Sequence, residues 1–250
     1  MPAGTTLTAY TGPCTITTAN TVIDARTVNC SLIIRTTGVQ ITRSRVNGSV
    51  SNGTETNTSF LIADSEIVAS PNTTSVGEVN FVVVRSELRG GNRGGNCYSA
   101  CTIRDSWIHG QRITGETHAS GLRAGMDTTY VHNTIGCDVA DTSQQGGCSA
   151  SLTMYPDFSP VTRVLIEGNL IMPTPGYYCA YGGATTGKPY SGDPANATYI
   201  RFLGNTFARG PSGHCGGPRD GGPITSYAPN RTGNQWSGNV WDTDGAPVNP

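Results

Sequence analysis

Apolar and polar positions along this chain follow a phrase that keeps returning. In residues 102–110, TIRDSWIHG, Ser106 has an apolar residue three places before it, Ile103, and another two places after it, Ile108. The same frame surrounds Ser44, Ser65, Ser86, Asn133, Asn169, Asn205 and Asn239. Ile41, Ile62, Val83, Tyr130, Ile166, Phe202 and Trp236 precede them; Val46, Ile67, Leu88, Ile135, Ile171, Phe207 and Trp241 follow. Successive Ser or Asn positions lie 21, 21, 20, 27, 36, 36 and 34 residues apart, and an incomplete earlier copy at Ile23, Arg26 and Val28 starts the series.

A period near 20 that stretches without losing phase belongs to a solenoid, in which each turn buries its apolar face only against its neighbours. Runs such as Val82-Val83-Val84 and Val164-Leu165-Ile166, bounded by Gly, Asn, Ser and Thr, are strand signals. No long apolar stripe of helical period accompanies them. The pattern predicts an all-β, single-stranded right-handed parallel β-helix of about eight to nine coils, with three strands per turn. The Ser or Asn marks the corner between the second and third strands. At about 4.8 Å per rung the rod would be on the order of 40 Å long. Asn is expected at this corner for its tolerance of left-handed backbone and for an amide that can bond to the next rung. The rival, a β-sandwich with regularly spaced strands, does not explain eight in-phase copies.

On this pattern the chain resembles the pectate-lyase-like superfamily and the secreted bacterial β-helix repeat proteins, over residues from about 21 to 248. The likeness is architectural, and no catalytic signature of a named pectate lyase or polygalacturonase family stands in the sequence. It implies carbohydrate chemistry on one face of the rod, and an arginine that removes the proton next to a carboxylate.

The repeat leaves no gap for a linker, so residues 1–250 are expected to form one domain, with 1–20 capping the first coil and 111–227 carrying long loops. Charged residues make up 13% of the chain and the net charge is −1. That balance argues against a nucleic-acid partner and against a basic membrane helix. A surface of Thr, Ser, Asn and Gly suits a polysaccharide partner, and a monomer is expected. The start, MPAGTTLTAY, has no export-signal pattern and reads as a mature start. Eight cysteines point to an oxidising, extracellular location. Of 105 connectivities, sequence neighbours pair as Cys14 with Cys30, Cys97 with Cys101, Cys137 with Cys148 and Cys179 with Cys215. A metal at Cys97 and Cys101 lacks a second ligand pair. The sequons at Asn47, Asn52, Asn57, Asn72, Asn196 and Asn230 read as incidental in a chain with fifteen arginines and one lysine.

From residue 22 to 86 the coils are minimal and read as scaffold, and 90–101 reads as a flexible, cystine-braced loop. Beyond Ser106 insertions appear at 111–117, 138–147, 156–162, 183–197 and 209–222, flanking first-face strands at 120–124, 150–155, 178–182 and 223–227. Insertions clustered on one face of adjacent coils would wall a groove, and such loops are where a rigid scaffold carries function. With Leu122, Leu152, Ala180 and Ile224 inward, alternation places Arg123, Thr153, Tyr155, Tyr181, Thr225 and Tyr227 on the groove floor. His118, Asp157, Lys188, Tyr190 and Asp193 lie beside it.

Arg123, Tyr155, His118 and Lys188 are the catalytic candidates. Thr153, Asp157, Tyr181, Tyr190 and Tyr227 are the substrate-binding ones. Arg and Lys suit a uronate carboxylate and tyrosine faces suit sugar rings. A Tyr and a His could exchange the protons of a β-elimination. The bland reading of Arg123 is a solvated strand arginine paired with Asp127, and that of Lys188 a loop charge. His109 and His132 read as scaffold, and His214 as a residue of the groove rim. Paired acids for a hydrolase would have to come from Asp157 with Asp193 or Asp138. Asp138 and Asp141 read more simply as Asx turns beside a disulfide. No carboxylate cluster has the spacing of a calcium site, so no cofactor is assigned and calcium stays open. The leading expectation is a secreted polysaccharide lyase. A non-catalytic carbohydrate-binding solenoid and a glycoside hydrolase stand behind it.

Overall fold

The computed structural model describes residues 1–217 and 221–250. Among them all regular structure is strand, stacked in parallel. One turn shows the plan. Leu32–Ile34 lies on the first face, Val39–Thr42 on the second and Arg45–Val46 on the third. The chain then returns as Val50–Ser51, with Val50 in register on Leu32. The third faces form a 10-stranded sheet, while the first and second merge into a 17-stranded one because Arg93–Arg104 runs unbroken through their shared corner. This is a parallel β-helix solenoid.

Register turns the sequence pattern into a core. Leu32, Val50, Val76, Gly95, Leu122, Leu152, Ala180 and Ile224 follow one another up the first face. All but the glycine are buried apolar side chains, and the gap at Gly95 is filled from the sides. A Cβ there would lie 2.9 Å from Ile103 Cδ1 and 3.0 Å from Leu122 Cδ2. From Arg93 onward the Gly-rich stretch 90–101 is therefore not the flexible loop expected, but part of a 12-residue strand that needs glycine because neighbouring side chains occupy its place.

The corner column is continuous. Ser44, Ser65 and Ser86 donate their backbone N–H groups to Ser65 Oγ, Ser86 Oγ and Ser106 Oγ at 3.0, 3.1 and 3.1 Å. Ser106 donates to Asn133 Oδ1, Asn133 to Asn169 Oδ1, Asn169 to Asn205 Oδ1 and Asn205 to Asn239 Oδ1, all between 2.9 and 3.0 Å. Each Asn also donates Nδ2 back to the preceding rung, to the carbonyls of Ile103, Tyr130, Ile166 and Phe202. The left-handed residue of the corner is not the Ser or Asn, as expected, but the one before it. Arg43, Asp64, Arg85, Asp105 and His132 take φ between 45° and 54°, and Gly168, Gly204 and Gly238 between 60° and 66°. Asn is selected for its amide, and the strained φ falls on its neighbour, where glycine costs least.

Four disulfides join the cysteines as sequence neighbours suggested, 14–30, 97–101, 137–148 and 179–215. With no described helix long and apolar enough to cross a membrane, they are compatible with an extracellular protein. Of the sequon asparagines, Asn52 and Asn196 are buried and hydrogen-bonded, which closes them to glycans.

Removing one member of the column leaves its partners unsatisfied. Asn205→Ala strands the Asn169 N–H and the Ile166 carbonyl, while Asn169 Nδ2 keeps the Tyr130 carbonyl, a loss of about 2–6 kcal/mol at 1–3 kcal/mol per buried unpaired group. Ser65→Ala strands only the Ser44 N–H, since the Ala63 carbonyl keeps the Arg43 N–H, a loss of about 1–3 kcal/mol. Urea midpoints of the two variants should fall in that order; equal midpoints would remove the distinction drawn here between Asn and Ser.

Candidate functional site

On the first face Gly77, Asn96, Arg123 and Thr153 stand in register, pointing away from the core column. Beside them opens a cavity of about 480 Å³ lined by Thr54, Glu78, Asn96, Tyr98, Arg123, Tyr155, Phe158 and Ser159. One side of its lining comes from the short turns and the other from the residues that follow Thr153.

Arg123 is the centre. Its Nη2 donates to Asp157 Oδ2 at 2.7 Å and to the Tyr155 carbonyl at 3.3 Å. The guanidinium carbon lies 5.3 Å from the Phe158 ring and 5.8 Å from the Tyr155 ring, within cation–π range. Its backbone is fixed from below by fully buried Tyr130, whose hydroxyl donates to the Arg123 carbonyl at 2.7 Å. The expected partner Asp127 instead pairs with Arg163. Lys188 reaches Asp157 Oδ1 at 3.1 Å and sits 5.1 Å from the Tyr155 ring centre. Burial opposes ionisation of Asp157, but the Lys188 hydrogen bond and the charges of Arg123 and Lys188 outweigh it and hold its pKa below the ordinary carboxylate range.

Two further charged groups come from turns that the sequence marked as scaffold. Glu78 accepts a hydrogen bond from Asn96 Nδ2. Its backbone is clamped by buried Asn52, whose Oδ1 accepts the Glu78 N–H at 2.9 Å and the Val79 N–H at 3.2 Å. At this point the pairing jumps from Cys97 to Ser99, a bulge that leaves Tyr98 as the extra residue and re-aims the strand. Burial raises the Glu78 pKa, against the pull of Asn96, Arg93 and Arg123. Arg93 lies deeper. Burial and repulsion from Arg123 lower its pKa, and its Nε finds no hydrogen-bond partner among the described residues. Three cations and two acids therefore gather around the cavity, an excess of one positive charge, with Arg123 and Glu78 in its lining and Arg93, Asp157 and Lys188 behind them.

The aromatic floor is Tyr155 against Tyr181, ring centres 4.8 Å apart, with Tyr178 at 6.0 Å from Tyr181. Burial, and then Tyr181, push the Tyr155 phenol well above its usual pKa, so it stays protonated. A second depression of about 570 Å³ adjoins it, lined by His118, Asp141, Thr142, Gln145, Ser149, Tyr177 and Tyr181.

The structure thus brings Arg123, Tyr155, Tyr181, Asp157 and Lys188 together and separates the rest. His118 begins the strand that Arg123 ends, roughly 16 Å away at strand rise, so it is not at hand for proton exchange beside Arg123. Thr153 is 1% exposed, with Oγ1 3.3 Å from Ser120 Oγ and from the Leu122 carbonyl, and offers no surface. Tyr227 turns to the core against Phe202 and Trp236, where burial pushes its pKa up to about 12. Tyr190 is exposed, outside the cavity lining, its N–H on the Pro156 carbonyl at 3.0 Å. Asp138 and Asp193 accept backbone N–H groups, from Gly110 at 3.1 Å and Ala195 at 2.8 Å, and so stabilise loops. His109 stacks on Trp107 and meets Glu87 at 2.8 Å, His132 lies 3.7 Å from Asp105, and His214 meets the Gly217 carbonyl at 3.1 Å. The 209–222 insertion includes 218–220, which lie outside the described residues. No group of three or more His, Cys, Asp or Glu among the described residues could hold a metal.

Glu78, Arg93, Asn96 and Phe158 were missed. Glu78 had a signal, an acid inside the apolar run SVGEV. So did Tyr130, the one hydroxyl-bearing residue in its core column. Compared with known proteins, the chain matches no family model, no curated protein and no solved structure.

The burial of Glu78 has a stability signature. Its folded-state pKa lies above the unfolded value, so the native state holds the proton more tightly. Stability is fullest while Glu78 is protonated and declines as pH rises through the window from the unfolded value, about 4.3, to the raised one. Glu78→Gln should therefore raise the melting midpoint at pH 7 relative to wild type, and the gain should vanish by about pH 3.5. A gain independent of pH, or a loss at pH 7, would contradict the assignment.

Proposed function

We propose that this protein is a secreted, carbohydrate-active β-helix of the pectate-lyase-like type, and that it cleaves an acidic polysaccharide by β-elimination. The observation that carries the reading is the charge balance of the first-face cavity. Arg123 and Glu78 line it, and Arg93, Lys188 and Asp157 stand close behind them, so that three cations outnumber two acids around Tyr155 and its neighbour Tyr181. A uronate ring offers an apolar face to stack and a carboxylate to neutralise. Elimination begins with loss of the proton beside that carboxylate, and the charge that develops there is stabilised by cations already in place. Arg123, ion-paired with Asp157, acts through its charge, because a guanidinium does not give up its proton in proteins. The architectural resemblance also points to β-elimination, but the arginine base that it implies is not the role proposed for Arg123.

Hydrolysis is the second reading, favoured by one observation. Glu78 and Asp157 have their pKa values pushed in opposite directions, as in the acid and nucleophile of a glycosidase. Against it, both oxygens of Asp157 are engaged, by Arg123 and by Lys188.

Incubation with a panel of uronate polymers should generate the ultraviolet absorbance of an unsaturated product, and neutral polymers should not. Arg123→Ala should lower kcat/KM by about 100-fold or more, the scale of removing one preorganised charge-stabilising group. New reducing ends without absorbance would favour hydrolysis. Binding without either product would leave a carbohydrate-binding solenoid.

A further inference from the structure

Resting on the lyase reading, we propose that Glu78 is the base that takes the proton from the carbon next to the uronate carboxylate, with the Tyr155 phenol supplying a proton to the leaving oxygen. The geometry is that of a held group. Glu78 lines the cavity together with Arg123 and Tyr155. Asn52 fixes its backbone through the N–H groups of residues 78 and 79, and also donates Nδ2 to the Val79 carbonyl at 2.7 Å. Asn96 holds its carboxylate from the next rung. A scaffold acid would be exposed or paired; Glu78 has no ion pair within 4.0 Å among the described residues, although Arg93 and Arg123 are close enough to act on its charge. Arg123 and Lys188 are both spent on Asp157. Glu78 is thus the acid in the cavity lining, and unlike nearby Asp157 its carboxylate is not committed to a cation.

The step balances without a co-reactant. The C5–H bond breaks and its proton goes to a Glu78 carboxylate oxygen. The electron pair forms the C4–C5 double bond as the C4–O bond breaks, and the departing oxygen takes the Tyr155 proton. Glu78 then returns its proton through solvent to the phenolate. Asn96, Arg123 and Tyr155 share the cavity lining with Glu78. Arg93 acts on its charge from the strand of Asn96, Asp157 and Lys188 stand behind Arg123 and Tyr155, and buried Tyr130 is near enough to feel its charge. Burial strengthens Glu78 as a base by bringing its pKa toward working pH.

The test uses the full chain on a uronate polymer that the wild type cleaves. Glu78→Gln should lower kcat by about 100-fold or more with KM changed by less than about threefold, and its residual rate should lose the acidic limb of the pH profile. Glu78→Asp, which keeps the carboxylate, should retain that limb and stand above the Gln variant at pH values above it. Melting midpoints report whether each variant folds, and the Asp variant decides the matter should the Gln variant not fold. A Gln variant within about tenfold of wild type, or an acidic limb that survives in it, overturns the role of Glu78 and leaves the lyase reading standing. A wild type that yields unsaturated product from no uronate polymer overturns the lyase reading and this role with it.

Discussion

The rest of the molecule depends on the hydrogen-bonded column at the corner between the second and third strands. A solenoid has no long-range contacts to set its pitch, so each rung must be registered by its neighbour alone. The backbone supplies that along the strands, but at a corner its N–H groups turn out of the ladder and would be buried without partners. The side chains of Ser44 through Asn239 take them up one after another. Because each such group buried unpaired would cost about 1–3 kcal/mol, the column acts as a spine that holds phase whatever happens elsewhere in the turn.

The change from Ser to Asn along that spine has a physical reason. A Ser hydroxyl accepts from one neighbouring rung and spends its own hydrogen on its own turn, as Ser86 does on the Val84 carbonyl at 2.9 Å. An Asn accepts from one side and donates to the carbonyl three residues before the corner of that rung, and Asn133 also reaches Asn169 Oδ1 at 3.0 Å. The Asn rungs begin where the turns lengthen from 20 residues to 27 and then 36. Longer turns cost more closure entropy, and the extra hydrogen bonds appear on those turns. Glycine takes over the left-handed position soon after, at Gly168, relieving the strain that Arg43 or His132 carries on other turns.

This spine was the most legible part of the sequence because its period, residue types and apolar flanks are all local signals. The inward parity of Leu122, Leu152, Ala180 and Ile224 followed from it, and with it the outward placement of Arg123 and Tyr181. What lay hidden is set by contacts between rungs. The strand through Gly94 and Gly95 reads as a loop until Ile103, Ile108 and Leu122 are seen to fill the missing side chains. Asp157 was read as a substrate-binding residue and a possible hydrolase acid, because nothing in the local sequence tells that a strand 34 residues earlier sends Arg123 to meet it. Tyr227 was placed on the floor by alternation, which holds only within a strand; the chain leaves its strand at Thr225.

The site sits where the two kinds of turn meet, and its charges divide by origin. Glu78, Arg93 and Asn96 belong to the tight turns, clamped by Asn52, by the bulge and by burial. Asp157, Phe158 and Lys188 belong to insertions, and their attachment to Arg123 is a handful of side-chain contacts at partly exposed positions. A group that must exchange a proton with a reacting carbon needs placement to within a fraction of an ångström, which rigid elements supply better than loops. Groups that only neutralise charge tolerate more play, since Coulomb attraction falls slowly with distance. On the proposed lyase reading, such a division puts the base on the short turns and leaves the long turns to supply Tyr155 and to recognise an anionic polymer. It also explains why the loops could lengthen in this half of the rod without disturbing the floor they enclose.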